Sequence, residues 1–142
     1  MEASLAIGAP PEAVFAFVSD LDNLPTWQPG VISATQTTSD PIGVGTTARV
    51  LRELMGQRLT VDVTVTAFDL GRRLALESAA SGLSVAAAMD LEPVTDGTNV
   101  RMSTEIHSQS LFLAPLEGMA AGIAQQEMDS GLLRLKAAIE GT

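Results

Sequence analysis

The apolar positions of this chain follow two rhythms, and the points where one gives way to the other divide it into elements. Residues 2 to 8 alternate, with Ala3, Leu5 and Ile7 on one side, until Gly8 and the Pro10-Pro11 pair end the run; this is a first strand. From Pro11 the spacing becomes helical, with Val14, Phe15 and Val18 on one face, Pro11 and Glu12 suited to the first turn, and an end near Asp20. The turn-rich stretch from Asp22 to Gly30 contains Pro25 and Pro29, which permit at most one or two further turns. Two short linked helices are predicted.

Alternation then returns. It predicts strands at Val31 to Thr38, Gly45 to Leu54 and Gln57 to Phe68, broken at Pro41-Ile42-Gly43 and Met55-Gly56. Three more follow at Arg73 to Ala80, Leu83 to Val94 and Asn99 to Ser108, separated by Ser81-Gly82 and by Asp96-Gly97, a hairpin signal. From about Pro115 to Glu140 the pattern is helical again, with Leu113, Leu116, Ala120, Ala124, Met128, Leu132, Leu135 and Ile139 in one stripe. No repeat or linker divides the chain, so residues 1–142 read as one α+β domain: a curved antiparallel sheet of seven strands closed over a long C-terminal helix.

Strand alternation also sorts the faces. Leu59, Val61, Val63 and Val65 oppose Arg58, Thr60, Asp62 and Thr64, so one face is dry. The later inward sets are Leu74, Leu76 and Ser78, then Leu83, Val85, Ala87, Met89 and Leu91, then Val100, Met102, Thr104 and Ile106. Aromatic residues make up only 4% of the chain and Tyr is absent, so Ala and Met carry much of this lining while the helix contributes Ala120, Ala124 and Gly131. Small residues either let the helix approach the sheet or leave a space unfilled. A helix of about 25 residues spans roughly 37 Å, and a sheet curved around it leaves a gap, so an apolar ligand pocket is expected.

Seventeen acidic residues against eight basic ones give a net charge of −9, the wrong sign for gripping phosphates, so nucleic acid and anionic membrane are not expected partners. No apolar run approaches the roughly 18 residues of a membrane span, and the N-terminus lacks a basic-then-apolar layout. A soluble, cytoplasmic protein is expected. With no cysteine and a single histidine, thiolate chemistry and the usual zinc sets are excluded, and neither metal nor cofactor is expected.

Specific residues join these elements. Ala9-Pro10-Pro11-Glu12-Ala13-Val14-Phe15, then Asp20 with Asn23-Leu24-Pro25-Thr26-Trp27-Gln28-Pro29, then Gly43-Val44-Gly45-Thr46, with Gly97-Thr98 and with Leu132, Leu135-Lys136 and Glu140 in the last helix, span the chain. In this order they resemble the START/Bet v 1-like superfamily, and within it the polyketide cyclase/dehydrase group, also called SRPBCC proteins. The resemblance implies the helix-grip fold, with two short helices between strands 1 and 2. It also implies a cavity for a lipid-like or polyketide-like guest, in many members without proven catalysis.

The candidate ligand contacts are Trp27, Val63, Leu76, Ser78, Val85, Met89, Met102, Thr104, Leu116, Ala120, Ala124 and Met128. Trp27 is expected chiefly to pack the second short helix against the sheet rim. Two residues are weak catalytic candidates. Glu117 lies on the helix stripe, where it either offsets the helix dipole at the rim, worth roughly 0.3–1 kcal/mol, or faces the cavity as an acid or base. Arg52 interrupts the Ala48, Val50 and Leu54 face and is expected to reach out at the sheet edge; pointing inward, it could pair with a ligand carbonyl or carboxylate. Glu127 is a lesser candidate of the same kind, and His107 belongs to the outward set. The expected partner is a small hydrophobic molecule, bound by a monomer or homodimer; the alternative is a cyclase or dehydrase that works mainly by positioning.

Overall fold

The computed structural model describes residues 1–39, 41–54, 56–80, 83–108 and 114–141, leaving out the side chains of residues 54, 80, 108, 114–117 and 120. Strand β1 (Glu2–Ile7) leads to helix α1 (Pro11–Ser19), a 3-10 turn (Leu21–Asn23) and the single-turn helix α2 (Leu24–Trp27). Strands β2 (Val31–Gln36), β3 (Thr47–Leu54), β4 (Gln57–Asp69), β5 (Arg73–Ala80), β6 (Leu83–Val94) and β7 (Gly97–Ser108) follow, and helix α3 (Ala114–Glu140) ends the chain. All pairings are antiparallel, in the order β1-β7-β6-β5-β4-β3-β2. The chain is thus a six-strand meander with β1 added beyond β7.

Helix α1 starts as its sequence suggests, with Pro11 at the first helical position and Val14, Phe15 and Val18 buried. The Asp20 carboxylate accepts from the Asp22 amide at 3.2 Å and turns the chain into the next helix. Strand β2 ends at Gln36, two residues before its alternation does, and β3 begins at Thr47 because Gly45, at φ +93°, turns the backbone where the pattern still reads as strand. In that turn the Thr46 hydroxyl accepts from the Gly43 amide at 2.9 Å.

The hairpin between β6 and β7 is placed correctly by Asp96-Gly97, but for a different reason. The turn falls on Thr95 and Asp96, with Asp96 at φ +64°. Gly97 is already paired with Val94, and a Cβ there would collide with the Ile7 carbonyl of β1. The Ser81-Gly82 break, Met55 and Leu113 lie outside the described residues.

A register shift in β4 between Val65 and Ala67 redirects the strand. Before it the odd positions Leu59 to Val65 face inward; beyond it Phe68 does, meeting the Phe15 ring edge-on at 5.2 Å and 72°. That contact lies in the core, which gathers α1, α2 and the C-terminal half of α3 around Val65, Leu74, Met89, Leu91 and Val100, with Leu132 and Leu135 from the helix. The other halves of the same strands and of α3 are packed differently. They enclose the site.

Candidate functional site

Along each element, the residues that fill the core give way to residues that border an open space. In β4 Val65 belongs to the core while Val63 borders the space, in β6 the change falls between Met89 and Ala87, and in α3 between Leu132 and Ala124, with Val61, Met102 and Met128 belonging to both. The resulting cavity holds about 500 Å³, within the range of small-molecule sites. Leu59, Val61, Val63, Leu76, Val85, Ala87 and Ile106 form its sheet wall, Ile123, Ala124 and Met128 its helix wall, and Leu24 and Gln28 flank it from the α2 side.

Of the residues singled out by sequence, Val63, Leu76, Ser78, Val85, Met102, Thr104, Ala124 and Met128 line this space. Trp27 and Met89 do not: both are buried in the core, at 3% and 5% exposure. Alternation gives the face of an element but not the position along it at which packing stops. Leu116, Ala120 and Glu117 have side chains outside the described residues. Gly131 follows the first of the two alternatives for small helix residues, close approach of a neighbouring element. A Cβ there would stand in ordinary contact, 3.4 Å from the Trp27 carbonyl and 3.5 Å from Pro29, so this position faces α2 and not the cavity.

Most of the wall is apolar, and its polar groups are unevenly placed. On the β7 side the Thr104 hydroxyl donates to the Met128 sulfur at 3.2 Å, so its hydrogen goes to the helix. On the β3 side stands a charged pair. Arg52, expected at the sheet edge, turns inward, and its Nη2 donates to Glu127 Oε1 of α3 at 2.6 Å. The pair is largely shielded, at 27% and 19% side-chain exposure. Position 52 keeps the inward phase of Ala48 and Val50, and the counter-charge that makes it tolerable arrives from 75 residues away.

The start of β2 covers this pair. Gly30, at φ +85°, approaches so closely that a Cβ would lie 2.5 Å from Glu127 Oε2 and 3.4 Å from Arg52 Nη2. Among the described residues, two buried side-chain polar atoms lack any partner, and Arg52 Nε is one of them; the other is Trp27 Nε1.

Full-length similarity to one sequence family now joins this geometry. The chain matches the family described as polyketide cyclase / dehydrase and lipid transport over residues 1–140. It belongs to that family. Solved structures agree on the fold. A Thermus thermophilus protein superposes with a TM-score of 0.82 at 21% identity, covering 99% of this chain and 97% of the other. A START superfamily protein from Mycobacterium smegmatis gives 0.79 at 15%, with coverages of 99% and 97%. The di-domain ARO/CYC StfQ of the steffimycin biosynthetic pathway gives 0.80 at 12%, covering 99% of this chain and 50% of that protein. No curated protein matches the chain in sequence. The fold is the helix-grip fold of the Bet v 1 and START proteins.

One further residue considered from the sequence lies away from the cavity. His107 is 70% exposed on the outward face, 3.8 Å from Glu105, beside a shallow acidic groove that also includes Asp62 and Glu77. Among the described residues, no group of three or more His, Cys, Asp or Glu could hold a metal ion, and no helix is long and apolar enough to cross a membrane.

Proposed function

We propose that the protein takes up a small hydrophobic molecule, lipid-like or polyketide-like, in the cavity between the sheet and α3. The observation that carries this reading is the change in packing along α3, where Leu132 and Leu135 fill the core, Met128 stands at its border, and Ile123 and Ala124 face open space of about 500 Å³. Burying apolar surface there releases roughly 25 cal/mol per Å² removed from water, before the cost of immobilising the guest. The family's description, which names both cyclases and lipid transport, supports the reading.

The test is uptake. Purified protein is expected to bind the neutral dye Nile red with a rise and blue shift in its emission, to release it to competing apolar molecules, and to carry a guest visible by native mass spectrometry. No guest and no dye uptake would sink the proposal.

A second reading rests on the inward Arg52–Glu127 pair, since a cation within an apolar cavity could polarise a substrate carbonyl. The protein would then fold a polyketide-like chain and promote its cyclisation or dehydration, mainly by confinement. If Arg52→Met leaves the product ratio from candidate polyketide substrates unchanged, this mechanism fails while the binding reading stands.

A further inference from the structure

The cavity's single guanidinium already has a counter-ion, and this sets the kind of polar group a guest can carry. Arg52 offers five N–H donors. Among the described residues only one of its hydrogen bonds is made, from Nη2 to Glu127 Oε1 at 2.6 Å. The side chain lines the cavity and keeps 27% of its surface exposed, so unspent donors border the space a guest would occupy. Its charge, by contrast, is spent.

A carboxylate entering here meets an arginine that is already neutralised, and a Glu127 that would lose its partner while only 19% exposed. Displacing Glu127 leaves a shielded carboxylate unpaired, and joining it places two like charges around one cation. The chain as a whole carries −9, which further disfavours an anionic guest. A ketone, ester or amide oxygen meets none of these costs. It can accept from a free guanidinium N–H while the ion pair stays closed.

We propose that the cavity selects neutral amphipathic ligands with an oxygen acceptor at one end, and that Glu127 is the specificity-determining residue that keeps Arg52 from capturing carboxylates. The acceptor end lies at the β3 side, where Arg52, Gln28 and Gln57 border the cavity. The apolar body extends along Val63, Leu76 and Val85. Gly30 keeps the pair in place, since its bare Cα lets the start of β2 close against Glu127.

This inference rests on the binding reading, and the experiment separates the two. Displacement of Nile red by methyl dodecanoate, dodecanoate and dodecane is measured at about pH 8, where the carboxylate is ionised. The native chain is expected to bind the ester at least about tenfold more tightly than the carboxylate. Glu127→Gln, which leaves Arg52 unmatched, is expected to shift that ratio at least about tenfold toward the carboxylate, a change that the ester's greater hydrophobicity cannot produce. The double variant Arg52→Met/Glu127→Leu, which removes both charges without stranding either, should bind the ester no better than its apolar bulk predicts from dodecane. A native chain that favours the carboxylate, or a Glu127→Gln ratio equal to the native one, overturns the inference. Failure of all three competitors to displace the dye defeats the binding reading itself.

Discussion

Glu140 shows how one side chain can tie the two ends of the chain together. Its Oε2 accepts from the Gly8 amide at 2.8 Å and from the Lys136 ammonium at 2.5 Å, joining the last turn of α3 to the bend after β1. These bonds, Lys136 first and then Gly8, hold its carboxyl below the usual carboxylate range. The folded chain therefore binds this proton more weakly than the unfolded one. The stabilisation is complete above the ordinary value of 4.5 and is lost as pH falls through the lower folded value. The Tm advantage of the native chain over Glu140→Gln is expected to be constant near neutrality and to vanish at strongly acid pH. An advantage that does not change with pH would show that the contact works without its charge. Arg52 shows the limit of residue-by-residue reading. Its phase in β3 pointed inward, yet a cation in an apolar run suggested the edge, and the acid that resolves the conflict lies on another element 75 positions away.

At the scale of the elements, two rhythms were enough to order the strands and helices, because a half-buried strand and a helix resting on a sheet each repeat with a fixed period. The same rhythms located the walls of the cavity. They do not say where along β6 or α3 the filled end stops, so alternation places Met89 on the wall though it belongs to the core, whereas Trp27 packs in the core as expected of the second short helix. Nor could they foresee the register shift after Val65 that brings Phe68 onto Phe15. The boundary predicts opposite outcomes for two changes of similar size. Leu135→Ala, at the fully buried end of α3, is expected to cost about 2–5 kcal/mol. Ala87→Leu, on the cavity wall, places atoms in open space and is expected to leave stability unchanged or raise it by about 0.5–2 kcal/mol, while reducing Nile red uptake. Urea titrations of both variants, paired with dye binding, check this. An Ala87→Leu variant as unstable as Leu135→Ala would mean that the wall is already close-packed.

For the molecule as a whole, solved structures only 12–21% identical share the layout of sheet and helix, and a shared fold does not by itself fix what a cavity binds. On the binding reading proposed above, specificity would come from side chains such as Arg52, Glu127 and Ala87. The division of the long strands into a filled end and an open end has one more consequence. Amide hydrogen exchange reports the free energy of local opening, and within a single strand it should vary with position. Protection is expected to be greatest at Val65, Leu91 and Val100 and least at Leu59, Val85 and Ile106, on the same three strands. A bound guest should slow exchange in the second group and leave the first unchanged. Uniform protection along each strand would count against this. If the gradient is found, one half of the molecule serves as a permanent anchor and the other breathes, so that a guest enters by local loosening while the fold stays intact.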